Sequence, residues 1–223
     1  MIIPFASQLL LTQYRHRIFA TLLLFVAWYP SANAAIPHPY FSKYPKAEQQ
    51  LDALMRQAKI QPVEPQPANL SISLLDVRKA QLYNLSKHRG QVILLSRWAT
   101  WCSACKAELP SKIEMWKQLK NPKLTLLGVS EESRETVRSF EQGRKQVFPI
   151  SLVDTTNAVQ RFYPSKGLPT TILIDPWGWV IGMKVGGLQW TQPSILALLR
   201  YLLSMKPSTP RNIQIPPPQA NFA

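Results

Sequence analysis

The stretch RWATWCSACKAELP, Arg97 to Pro110, holds both cysteines of the 223-residue chain, Cys102 and Cys105, three positions apart. Before it, HRGQVILLS (His88 to Ser96) reads as a turn followed by an apolar run long enough for a buried central strand. After it, helical periodicity takes over through CKAELPSKIEMWKQLK. The two cysteines therefore fall where a central strand turns into a helix. Three chemistries suit such a pair: a redox centre, half of a metal site, or a structural disulfide.

The surrounding residues decide among them. A ring closed across three positions removes little chain entropy, so it is a poor structural staple beside a long-range crosslink. Structural zinc asks for four ligands, and the chain offers two cysteines and three histidines. Of these, His16 sits in the leading segment, His38 in an irregular stretch and His88 in a surface turn. A copper carrier meets the same shortage. No metal site is expected. At the start of a helix, Cys102 faces free backbone N–H groups and the positive end of the helix dipole, which lower a thiol pKa and make it the nucleophile. Cys105, one turn further in, is expected to be more shielded than Cys102 and is placed to attack a mixed disulfide and release the partner.

Working outward, LSISLLDV and QLYNLS are short and β-prone, and LTLLGVS reads as a second buried strand. Ser130 is expected to cap the helix SRETVRSFEQGRKQ. PISLVD is a strand, TTNAVQRFY a short helix, and TTILID-PWGW-VIGMKV an antiparallel hairpin, with a last helix over Gln192 to Leu203. Strands alternating with helices, closed by a hairpin, give an α/β fold with a mixed central sheet and helices on both faces. At 46% hydrophobic content, the chain can build one domain with a substantial core.

The flanks read differently. The first 17 residues carry no acid and include Arg15 and Arg17; the apolar run IFATLLLFVAW (Ile18 to Trp28) follows, then Ala32-Asn33-Ala34. This is the pattern of an export signal cleaved after Ala34. The competing reading is an uncleaved membrane anchor, for which the run is short of the roughly 20 residues that span a bilayer. Export places the protein in the periplasm, where disulfides persist unless electrons are delivered to them. Residues 35–68 form a leader: KAEQQLDALMRQAKI has Ala47, Leu51, Leu54, Met55 and Ala58 at helical spacing, and QPVEPQPA (Gln61 to Ala68) reads as an extended Pro-rich linker. The folded domain is expected over 69–204, and the Pro-rich tail 205–223 as extended or disordered.

Net charge is +14, and losing residues 1–34 removes two arginines and no acid, leaving +12. Such a surface suits contact with anionic membrane. The basic residues are spread along the chain without the dense run of a nucleic-acid arm, so no nucleic-acid partner is expected. There is no Gly-rich dinucleotide loop, and Lys106 follows Cys105 where haem attachment asks for His. The expected redox group is the Cys102–Cys105 disulfide alone.

WATWCSACKAELP resembles the WATWCxxCxxExP signature of thioredoxin-like proteins of the TlpA/ResA type, exported thiol-disulfide oxidoreductases that include cytochrome c maturation reductases. SLLDVRKAQLYNLSKHRGQVILLSRW resembles that family's leading hairpin and first central strand. GLPTTILIDPWGWVI resembles its cis-proline segment and closing hairpin. The likeness runs in order from Asn69 to Leu203. It implies a thioredoxin-like fold, a cis Pro169 whose loop lies against the Cys102 sulfur, and a Leu168 backbone free to pair with an extended substrate. It also implies that Glu108 is an acid close to the cysteine pair, where partial burial raises its pKa and lets it shuttle the proton of the resolving thiol. Trp98 is expected in the core, and Trp101 as an apolar wall offered to a partner.

The same resemblance implies a protein thiol or disulfide as substrate and reduction as the direction; with no internal cofactor motif in the sequence, a membrane electron donor is expected to recharge the pair. Oxidase or isomerase action is the alternative within the same chemistry. An assembly module of an envelope apparatus, with the disulfide incidental, is the alternative outside it. The sequence departs from thioredoxin at Ser96, which falls where thioredoxin has a buried Asp. It departs again at Arg97, where the family commonly has an apolar residue, and at Ser103-Ala104 in place of Gly-Pro.

Overall fold

The run VILLSR becomes β4 (Val92–Arg97), buried at every position, in the middle of an eight-stranded sheet. The computed structural model describes His38 and residues 44–205. The chain divides into units 1–36 and 37–223, and every described residue lies in the second. The expected export signal or anchor over 1–34, most of the segment before Tyr44, and the tail beyond Met205 lie outside the described residues.

In chain order the elements are α1 (Pro45–Gln57), β1 (Gln61–Pro67), β2 (Ser73–Asp76), β3 (Leu82–Asn84), β4, α2 (Ser103–Leu119) and β5 (Leu124–Ser130). They continue with α3 (Arg134–Glu141), β6 (Ile150–Val153), α4 (Ala158–Phe162), β7 (Thr170–Ile174), β8 (Trp179–Val185) and α5 (Pro193–Ser204). The sheet order is β1-β8-β7-β4-β5-β6-β2-β3. β5 lies parallel to β4 and to β6, while β7 runs antiparallel to both β4 and β8. This is the mixed α/β architecture that the alternation of elements predicts.

The period-2 alternation of the strands splits the core in two. Val92 and Leu94 join Leu51 and Met55 of α1, Leu109 and Ile113 of α2, and Ile195 and Leu199 of α5 on one side. Ile93 and Leu95 join Leu70, Ile72, Leu127, Val159 and Tyr163 on the other. The sheet is thus covered on both faces, which is why β4 and β5 are apolar without alternation.

Two boundaries differ from the sequence reading. Gln61 to Ala68 is not a linker: Gln61–Pro67 is extended, but it pairs antiparallel with β8 as the edge strand β1, with an irregularity between Pro62 and Gln66. Proline cannot donate to a ladder, yet an edge strand needs donors on one side only, and prolines there blunt further pairing. The folded unit therefore begins before residue 69. The leader helix α1 packs onto it, burying Leu51 and Met55, and its Ala47 carbonyl accepts from the Tyr201 hydroxyl of α5 at 3.3 Å. The cap of α3 is Ser133, whose hydroxyl accepts from the Thr136 N–H, and not Ser130, which is buried at the end of β5.

Candidate active site

At the end of β4 the chain leaves the sheet through Trp98, Ala99, Thr100 and Trp101 and enters α2 with Cys102 as its N-cap. The Cys102 Sγ accepts the Cys105 N–H at 3.1 Å, the place a Ser or Asp oxygen takes in an ordinary cap. A sulfur held on an unpaired helix N–H is stabilised as thiolate. Cys102 and Cys105 are joined in a disulfide with Cα atoms 5.2 Å apart. Both residues are buried, so the asymmetry between them rests on cap position and not on shielding.

Carboxylates hold the turn. Glu132, just past β5, accepts from the Thr100 N–H and from the Thr100 hydroxyl, each at 2.7 Å. Arg97, the unexpected cation, is nearly buried and clasps two loops. It donates to Glu131 at 2.6 Å and to the Ser165 hydroxyl at 2.5 Å. Ser165 in turn accepts from Thr170 at 3.0 Å.

That clasp reaches the loop before β7. The Leu168–Pro169 peptide is cis. Arg97 pairs with Thr170 across β4 and β7, so the register brings Pro169 to the sheet end where Trp98 begins the cysteine turn. The Pro169 carbonyl accepts from the Gly186 N–H at 2.8 Å, tying the loop to the end of β8. Pro169 is buried and Leu168 half-buried. Trp98 is core, packed against Phe140 and Phe148 with ring centroids at 5.3 and 5.6 Å. Trp101, by contrast, is 70% exposed beside Cys102. An apolar ring so displayed next to a reactive sulfur fits partner contact.

Glu108 is not a solvated first-turn acid: it is 6% exposed and surrounded by donors. One oxygen accepts from Lys112 Nζ at 2.5 Å; the other accepts from the Leu188 N–H at 3.1 Å and the Trp190 indole N–H at 3.0 Å. Three donors suit an ionised carboxylate, which can only accept. Lys112 is wholly buried. Its ammonium also donates to Ser96 Oγ at 2.8 Å and Thr171 Oγ1 at 2.9 Å, and lies 4.5 Å from the Trp190 ring centroid. Burial pushes its pKa down from 10.5 to about 8, against the opposing pull of Glu108.

The structure thus places Cys102, Cys105, Trp101, Leu168 and Pro169 at one end of the sheet, with Glu108 one turn beyond Cys105 on the inner face of α2. Sequence reasoning missed Lys112, Thr171 and Trp190. The signal for Lys112 was its spacing: Cys105, Glu108, Lys112 and Met115 fall three, seven and ten positions along one helical face, and all four are buried.

The AhpC/TSA family model matches residues 69–183. Thiol-disulfide oxidoreductase ResA of Bacillus subtilis is 32% identical over 114 residues, 51% of this chain and 63% of that protein. The chain thus spans less than two thirds of that relative's length. A protein of the same name from Geobacillus kaustophilus is 33% identical over 130 residues, 58% of this chain and 71% of that protein. Among solved structures, the exposed lipoprotein thioredoxin Etrx1 of Streptococcus pneumoniae superposes with a TM-score of 0.52 at 26% identity, covering 59% of this chain and 98% of that one.

Proposed function

The chain belongs to the AhpC/TSA family, whose model matches half of it, and we propose that it is an exported thiol-disulfide oxidoreductase that reduces disulfides of particular proteins through Cys102 and Cys105. The observation that carries this is the Cys102 sulfur as helix N-cap, bonded to Cys105 and beside an exposed Trp101. The names of the Bacillus and Geobacillus relatives support the same chemistry.

The cycle starts from the dithiol. The Cys102 thiolate attacks one sulfur of a substrate disulfide; that S–S bond breaks, a mixed disulfide forms, and the departing substrate thiolate takes a proton. The Leu168–Pro169 loop, with Trp101 on the other side, holds the substrate chain extended beside Cys102. Cys105 then gives up its thiol proton with Glu108 as the acceptor and attacks Cys102 Sγ. The second substrate thiolate leaves and takes that proton, and the Cys102–Cys105 disulfide remains. Two electrons have passed to the substrate. A dithiol donor at the membrane returns them.

Among the described residues no helix is long and apolar enough to cross a membrane. Export is inferred from the leading segment, whose Ala32-Asn33-Ala34 pattern supports cleavage. The test is catalysed reduction of insulin disulfides by dithiothreitol with the purified protein and its Cys102→Ser variant. Turnover in the former and none in the latter is expected. Equal rates with and without Cys102 would refute the proposal and leave a scaffold role.

A further inference from the structure

A lysine with no exposed surface needs a reason, because an apolar side chain of similar volume fills such a site at less desolvation cost. Lys112 is in that position, and its partners are not scattered. Ser96 stands on β4 two residues before Trp98; Thr171 stands on β7 two residues after Pro169; Glu108 stands on α2 one turn after Cys105. Ser96 and Thr171 are direct register partners across β4 and β7, so the ammonium rests on the sheet beneath the cysteine helix. The remaining oxygen of Glu108 takes the Leu188 and Trp190 donors from the segment after β8. That segment also passes Ala104, between the two cysteines, since a methyl placed on Gly187 would sit 3.8 Å from the Ala104 carbonyl. One ammonium therefore joins the three elements that make the site.

We propose that Lys112 is a positioning residue of the dithiol reaction: its buried charge holds Glu108 fixed and ionised below Cys105, so that the Glu108–Lys112 pair takes the place of a buried acid at position 96. The inference rests on the thiol-disulfide reading above. Lys112 moves no proton in the cycle. Its charge keeps the carboxylate able to receive the Cys105 proton and cancels the repulsion that a lone carboxylate exerts on a thiolate. The groups facing it are Glu108 from α2, the hydroxyls of Ser96 and Thr171 from the sheet, and the Trp190 ring. Glu108 is the one charged group within ion-pair distance among the described residues. The depressed pKa of Lys112 accords with that arrangement, burial lowering it and the Glu108 carboxylate opposing the desolvation.

The effect has a size. Cys102, whose alkylation reports the effect, and Lys112 are ten residues apart along one helix, which is about 15 Å along the axis. At an effective dielectric of about 20, a unit charge at that distance shifts a titration by about 0.8 pH unit, or about sixfold in thiolate fraction below the pKa.

The experiment is the pH profile of Cys102 alkylation by iodoacetamide in the reduced protein, for wild type, Lys112→Met and Lys112→Gln, with insulin reduction measured alongside. Gln keeps a donor toward Glu108 without the charge, which guards against a Met variant that fails to fold. The expected result is a profile moved up by about 0.8 pH unit in both variants, about sixfold slower alkylation at low pH and convergence with wild type at high pH. A merely structural lysine changes stability and leaves the profile in place, so folded variants whose profiles superimpose on wild type would overturn the proposal. If instead wild type itself shows no reactive dithiol and no insulin reduction, the oxidoreductase reading has failed, which the same data separate from failure of Lys112's role.

Discussion

Replacing Glu108 by Gln keeps its shape, removes its charge, and yields a loss of stability that must depend on pH in one direction. In the folded protein Lys112 releases its proton near 8, whereas an unfolded lysine holds it to about 10.4. Between those values the unfolded chain binds more protons, so this group's contribution to stability rises with pH. Below about 8 both states are protonated and the full desolvation cost persists. Glu108 raises the folded value, so Glu108→Gln lowers it further. Each unit costs about 1.4 kcal/mol, but the amine escapes by shedding its proton, which limits this loss to about 1.4 kcal/mol at pH 7 and about 2.7 kcal/mol at pH 6.

A second loss adds to it at every pH. The Gln carbonyl can serve Lys112, or the Leu188 and Trp190 N–H groups, but its amide end turns donors toward the other side. A buried donor left unpaired costs about 1–3 kcal/mol. The expected total is about 2–4 kcal/mol at pH 7, larger at pH 6 and smaller at pH 9. Urea unfolding of the oxidised wild type and variant at the three pH values measures it. A loss under about 1 kcal/mol at pH 7, or one equal at pH 6 and pH 9, would refute the reasoning.

Three further outcomes follow from the same geometry. Cys105→Ser should accumulate a mixed disulfide through Cys102 when the reduced protein meets a protein disulfide, seen on a non-reducing gel, and Cys102→Ser should accumulate none. Gly128→Ala should destabilise by about 1–3 kcal/mol in urea, because the Phe148 ring occupies the place of the added methyl and is backed by Trp98. In the oxidised protein the Trp190 indole N–H resonance should titrate with a midpoint near 8 as Lys112 loses its charge; Lys112→Met should abolish the step.

Much of the fold is legible because its signals are local. VILLSR and LTLLGVS are apolar without alternation, as strands buried on both faces must be, and CKAELPSKIEMWKQL carries a helical face. The cysteine pair is legible for the same reason, its spacing and helix-start position being written in adjacent residues. What fails to show is tertiary. Three prolines in QPVEPQP argue against a strand until β8 is known to present an unpaired edge. Lys112 looks like half of a solvated Glu–Lys pair until Ser96 and Thr171, 16 and 59 positions away, close over it. Arg97 reads as a misfit at an apolar position until Glu131 and Ser165 are seen to meet it.

The central claim is that Cys102 and Cys105 form a reducing dithiol, and the reduction potential of that pair addresses it directly. Equilibrating the purified protein against dithiothreitol and glutathione buffers should return a value of about −270 mV or below, in the range of a dithiol that must be recharged to work. A value near −120 mV, the range of a strong oxidant, would contradict the account and make the protein a disulfide donor.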